Sequence, residues 1–148
     1  SVGYSTLWLA AAAKQVGAIV ETVEADDEKI RKATENRQAL ALHDLVVQHH
    51  GDATDVLTRM SSSYDFVFID IGGDHIALFE ALRPRIAAGG VVFVDGAGRS
   101  ETWEHESESM RLFRYLQDAP DFEVSIVDLG DKSHLWATNI PQTVSVSP

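Results

Sequence analysis

Apolar and polar positions along this chain fall into blocks whose period switches repeatedly between helix and strand. From Thr6 to Gln15 the run is apolar at helical spacing and ends at Gly17. Ala18-Ile19-Val20-Glu21-Thr22-Val23 is rich in β-branched residues and predicts a strand over 18–24 that closes on Glu24. Asp26 then reads as a helix N-cap, with Asp27 and Glu28 in the first turn. Ile30, Ala33, Arg37 and Leu40 continue at helical spacing. Residues 45–49 predict a second strand, stopped by Gly51-Asp52, and Ala53 to Met60 a short helix. The clearest strand is Tyr64-Asp65-Phe66-Val67-Phe68-Ile69, closing on Asp70. Gly72-Gly73-Asp74 breaks it and starts a helix carrying Ile76, Leu78, Phe79 and Leu82. Gly89-Gly90 predicts a turn, and Val91-Val92-Phe93-Val94 is a continuous apolar run that closes on Asp95, as in strands covered on both faces. A polar loop over 96–103 leads to a helix over 104–117, and two final strands follow at 122–129 and 134–138.

Helix-length crossovers between the first four strands require those strands to run parallel, whereas the short turn Gly130-Asp131-Lys132 makes the last pair antiparallel. The fold class is therefore α/β, a doubly wound, mostly parallel sheet with an antiparallel C-terminal edge. The opening Ser1-Val2-Gly3-Tyr4-Ser5-Thr6 runs straight into the first helix. Small residues at a helix start collect free N–H groups and the positive end of the helix dipole, which makes an anion cradle. Such a cradle ordinarily follows a buried strand, and none precedes Ser1 here. The expectation is one domain over 1–140 whose first, central strand is missing, with a mobile tail at 141–148. A gap of that kind also invites a partner chain or an exchanged strand, hence a homo-oligomer.

Composition narrows the function classes. A net charge of −11 argues against tracking along nucleic-acid phosphates, which needs a lysine and arginine excess. The absence of cysteine removes disulfides and thiolate metal sites and is compatible with a cytoplasmic protein. No apolar run approaches the roughly 18 residues needed to span a bilayer, so no membrane is expected as a partner.

In doubly wound sheets, ligands bind outside the carboxyl ends of the strands. The residues placed there are Glu24, Gly51-Asp52, Asp70 and Asp95. A carboxylate directly after a buried strand is suited to a ribose diol or to a cation. Each has a plainer reading too. Glu24 reads equally as a solvated strand end, Asp52 as the cap of the helix that follows, and Asp70 and Asp95 as turn acids. His49-His50 follows a strand, but adjacent strand residues point to opposite faces, which disfavours one ion taking both. Trp8, Trp103 and Trp136 read as core or rim packing, with Trp103 also placed over the expected site. Glu101, Glu104, Glu106 and Glu108 read as an acidic, dipole-favoured helix start.

Five blocks occur in a telling order: Gly3-Tyr4-Ser5-Thr6, Val23-Glu24-Ala25-Asp26, Gly51-Asp52-Ala53, Tyr64 to Asp70, and Gly89 to Asp95. In this order the chain resembles class I S-adenosylmethionine-dependent methyltransferases, above all the small-molecule O-methyltransferases of the catechol and caffeoyl-CoA type. The resemblance implies a Rossmann-like fold, S-adenosylmethionine as cofactor and a small-molecule hydroxyl as acceptor. It implies that Gly3, Tyr4 and Ser5 meet the methionine carboxylate and that Glu24 holds the ribose hydroxyls. Ala25 would flank the adenine, Asp52 and Ala53 would lie at its edge, and Asp70 would sit beside the sulfonium. Asp70, His75 and Asp95 are the implied catalytic candidates, with His75 in a Gly-Asp-His segment found in another methyltransferase branch. In metal-dependent members the acids matching Asp70 and Asp95 bind a divalent cation, usually with an Asn just after the second. Here Gly96 stands in that place, and no lysine base follows Asp70, so no metal ligand is expected. Two other classes stay open: a nucleotide-binding domain that lost its chemistry, and a dinucleotide oxidoreductase, against which stands the lack of G-x-G-x-x-G before the first helix.

Overall fold

The computed structural model describes residues 2–97, 107–130 and 132–141. The chain divides into two compact units, Ser1–Met60 and Ser61–Pro148.

In the first unit, α1 (Tyr4–Val16) starts at Gly3 and stops at Gly17, both in the left-handed region at φ 85° and 69°. Gly3 has a second reason to be glycine: a Cβ there would lie 2.9 Å from the Cβ of Ala33. β1 (Val20–Glu24) pairs in parallel with β2 (Val46–His50), with Val20 opposite Val46 and Glu24 opposite His50. Between them runs α2 (Asp27–Ala39), capped by Asp26, whose Oδ1 accepts from the Lys29 N–H at 2.9 Å. α3 (Ala53–Leu57) follows β2 and is capped by Asp52. The core here is small: Ala10 of α1 with Leu42 and Val46, flanked by Leu7, Ala11, Val20 and Leu45. That cluster covers one stripe of α1 only. Trp8, expected in the packing, is instead 66% exposed and meets Tyr4 edge-on at 6.4 Å.

In the second unit, β3 (Tyr64–Ile69) pairs in parallel with β4 (Ile86–Val94). The four-stranded sheet runs β3-β4-β6-β5, where β5 (Phe122–Asp128) and β6 (Ser133–Asn139) are antiparallel to each other and β6 is antiparallel to β4. Parallel pairs at β1–β2 and β3–β4, and the antiparallel C-terminal edge, are as the alternation of blocks predicts. β4 begins five residues earlier than the apolar run, at Ile86 against Val91, and takes in the glycine pair expected as a turn. Tyr64 faces Ile86 but Phe66 faces Val91, so residues 87–90 form an irregularity inside the strand. Gly90 lies there so close to the chain that a Cβ would come within 2.8 Å of Ala87 O and 3.0 Å of Tyr64 O.

Two helices cover this sheet. α4 (His75–Leu82) is capped by Asp74, and α5 (Glu108–Gln117) by Ser107, whose Oγ accepts from the Met110 N–H at 3.2 Å. α5 packs on α4, β5 and β6. Phe79, Val92, Val94, Leu112, Leu116, Leu135 and Ala137 are fully buried, and Phe79 meets Phe122 edge-on at 5.1 Å. α5 as described begins after its cap, Ser107. Glu101, Trp103, Glu104 and Glu106 and the tail from 142 lie outside the described residues.

Candidate functional site

Each unit carries its own set of strand-end residues. In the first, no side chain among the described residues caps α1, which starts at Gly3, Tyr4 and Ser5. The main chains of the two strands are tied where they end, since the Gly51 N–H donates to Glu24 O at 3.1 Å. Glu24 then turns its carboxylate over the chain that follows: Oε1 accepts from the N–H groups of Ala25 at 3.0 Å and Asp26 at 3.1 Å. Those bonds hold the carboxylate in one orientation at the end of β1 while a carboxylate retains further acceptor capacity. Ala25 is exposed beside it. Asp52 does what its plainer reading says: Oδ1 accepts from Thr54 N–H at 2.9 Å and Asp55 N–H at 3.3 Å. Ala53 is the first residue of the helix so capped. The two adjacent histidines diverge. His49 Nε2 lies 2.8 Å from Glu21 Oε2, and His50 Nε2 lies 3.2 Å from Ala25 O and 3.4 Å from Asp27 Oδ1.

In the second unit, the structure brings Asp70 and Asp95 to adjacent strand ends. Ile69 faces Val94, and the Asp95 N–H donates to Ile69 O at 2.9 Å. Asp70 is exposed and Asp95 half-buried. Ser109, at the start of α5, donates its hydroxyl to Asp95 O at 3.2 Å.

His75 is held inside the second unit. Its ring is 5% exposed, with Nε2 2.7 Å from Ile71 O and Nδ1 3.3 Å from Ser109 Oγ. A carbonyl only accepts, so Nε2 carries the hydrogen, and Nδ1 lies beside the Ser109 hydroxyl, whose single hydrogen goes to Asp95 O. Among the described residues no carboxylate partners this ring. The ring braces the start of α4 against α5, with both nitrogens facing protein partners.

Two residues that sequence reasoning did not single out complete the cluster. His134 Nδ1 lies 3.0 Å from Asp95 Oδ1, and Lys132 Nζ 3.8 Å from Asp95 Oδ2. The His134 ring stacks on Phe93, with centroids 5.0 Å apart at 25°. The signal for this pairing is the register of β4 on β6, Val94 opposite Leu135, which no local motif encodes.

For a divalent cation the donors do not fit. Hard cations take several oxygen ligands, Gly96 adds no side-chain oxygen, and both Asp95 oxygens already face nitrogens. Among the described residues no three His, Cys, Asp or Glu side chains converge as a metal would require.

Comparison with known proteins adds a family and a set of similar folds. A family model described as a methyltransferase domain matches residues 1–97. The fold is similar to an O-methyltransferase from Bacillus cereus solved in complex with SAH, at 25% identity and TM-score 0.80, over 93% of this chain and 69% of that one. It is similar to the O-methyltransferase TomG from Streptomyces achromogenes, involved in tomaymycin synthesis and solved with SAM, at 23% identity and TM-score 0.80, over 93% and 69%. It is also similar to cofactor-bound Rv0187 from MTB, at 23% identity and TM-score 0.83, over 93% and 68%. No curated protein sequence matches the chain significantly.

Proposed function

The chain belongs to the methyltransferase-domain family, matched over residues 1–97, and from that premise we propose that it transfers a methyl group from S-adenosylmethionine to a hydroxyl of a small molecule. The observation that carries the reading is the ordered set of strand-end residues, each found at the end its motif predicts: Glu24 closing β1, Asp52 after β2, Asp70 after β3 and Asp95 after β4. In this reading the uncapped start of α1 at Gly3, Tyr4 and Ser5 receives the methionine carboxylate. Glu24, oriented by the N–H groups of Ala25 and Asp26, accepts from the ribose diol. Ala25 flanks the adenine, and Asp52 and Ala53 border its edge. Asp70 accepts from the methionine ammonium and lies beside the sulfonium.

The hydroxyl acceptor is supported by the O-methyltransferase from Bacillus cereus, similar at 25% identity, and by the acceptor-side chemistry of Asp95. Methyl transfer from a sulfonium is an in-line displacement that needs alignment and a group to receive the hydroxyl proton. Calorimetry with S-adenosylmethionine, S-adenosylhomocysteine and NAD tests the cofactor. Saturable binding of the first two and none of NAD is expected, and binding of NAD alone would overturn the reading. Methyl transfer to phenolic acceptors, followed with labelled cofactor, then tests the reaction. Cofactor binding without transfer to any hydroxyl compound would favour a domain that kept the pocket and lost the chemistry.

A further inference from the structure

We infer that His134, paired with Asp95, is the base that takes the proton from the acceptor hydroxyl; the inference rests on the methyl-transfer reading above. β6 runs antiparallel to β4, so its first residues lie at the carboxyl end of β4, the end where doubly wound sheets bind ligands. His134 is the second residue of β6 and faces Asp95, the residue directly after β4. One ring nitrogen thus lies beside a carboxylate on the site rim. The other, Nε2, is hydrogen-bonded to no described residue. This is the division of labour of a carboxylate–imidazole pair: one nitrogen oriented, the other left to the substrate.

Three further observations fit. His134 is 9% exposed, and its Nδ1 lies 3.0 Å from Asp95 Oδ1 without completing a hydrogen bond to it. A buried nitrogen left that close to its acceptor is an unfinished contact, and such contacts tighten when substrate arrives. Phe93 fixes the ring plane by stacking. The charged groups beside His134 among the described residues are Asp95 and Lys132, and Lys132 completes the neutralisation of the carboxylate from the turn before β6. The cluster stands where Gly96 leaves a cation without its donors. A protein base at this point supplies by proton transfer what a metal would supply by lowering the acceptor's pKa.

The acceptor oxygen forms a bond to the methyl carbon, and the carbon–sulfur bond breaks with its electron pair staying on sulfur. The hydroxyl proton passes to Nε2 of His134. The products are a methyl ether, S-adenosylhomocysteine and an imidazolium held by Asp95, which returns its proton to water.

Histidine tautomers read by nitrogen NMR on the full chain test the pair without any acceptor. In the neutral ring of His134 the proton is expected on Nδ1, and Asp95→Ala should move it to Nε2. With catechol as acceptor probe, His134→Gln should lower kcat by roughly 100-fold or more while cofactor Kd and acceptor KM stay within about twofold. Kd within that range also shows that the variant is folded. A proton on Nε2 in the wild type, or wild-type kcat in His134→Gln, overturns the inference. A wild type that binds no S-adenosylmethionine would instead defeat the reading on which it rests, and the tautomer would still report on the pair.

Discussion

Glu24 offers the sharpest test of the cofactor assignment, because its carboxylate has two separable jobs. Oε1 accepts from Ala25 N–H at 3.0 Å and Asp26 N–H at 3.1 Å, which shapes the turn between β1 and α2. In the proposed site the same carboxylate accepts from the ribose diol. Glu24→Ala removes both jobs. The two turn bonds are solvated at one end, so their loss costs about 1 kcal/mol of stability each at most. Bonds from ribose hydroxyls to a charged acceptor are worth about 1.5–3 kcal/mol, which weakens cofactor binding roughly 10- to 150-fold. Glu24→Gln separates the two. Its amide oxygen still accepts from the turn, so thermal stability should stay near wild type. The negative charge is lost and one ribose hydroxyl meets an NH2 donor, so affinity still falls by about tenfold or more. Calorimetric titration with S-adenosylhomocysteine, paired with thermal denaturation of the same samples, reads both quantities. A stable Glu24→Gln protein with wild-type affinity would refute the ribose assignment, and with it the pocket built on the end of β1.

Three further outcomes are expected. Gly3→Ala forces a side chain into φ 85° and sets a Cβ 2.9 Å from Ala33, so it should cost about 1–3 kcal/mol in chemical denaturation; an unchanged midpoint would show that α1 shifts freely. Arg83 Nε donates to Asp121 Oδ2 at 3.0 Å, and hydrogen bonding from that guanidinium holds the Asp121 carboxyl below its usual range. A depressed folded pKa stabilises above the unfolded value near 3.9 and is lost as pH falls through the folded one, so acid should destabilise the wild type more steeply than Asp121→Asn; parallel acid curves would count against the pair. Methyl transfer should survive a chelator, since Gly96 contributes no side-chain oxygen beside Asp95; abolition by chelator and restoration by magnesium would contradict this.

Much of the fold is legible because the strands that matter are short apolar runs stopped by a charge. Tyr64–Ile69 closing on Asp70 is the plainest case, and the β-branched residues before Glu24 are another. What escapes is decided by distant parts of the chain. Ala87-Ala88-Gly89-Gly90 has the composition of a turn, yet pairing beside β3 draws it into β4 as an irregularity. Trp8 has the hydrophobicity of a core residue, yet it lies outside the small cluster around Ala10 and Leu42 and stands exposed. At the site, single residues next to strands were legible and pairs were not. Asp52 satisfies its capping reading from local sequence alone, because the bonds reach only two and three residues ahead. Asp95 and His134 are 39 positions apart and meet through sheet register, and the engagement of His75 depends on Ser109 from a helix beyond the loop.

The main chain of Asp95 is held from both sides, its N–H by Ile69 O at 2.9 Å and its C=O by the Ser109 hydroxyl at 3.2 Å. A residue fixed at both amide neighbours has little left to vary except the torsions of its own side chain. The direction of the carboxylate is then left to those torsions alone, with His134 and Lys132 beside it. Precision at this point is accordingly delegated outward. Ser109 touches no reacting atom in the proposed chemistry, yet trimming its hydroxyl would release the carbonyl, let the end of β4 drift and spread the carboxylate over several orientations. Rate would fall through lost alignment while the apparent inventory of functional groups stayed complete.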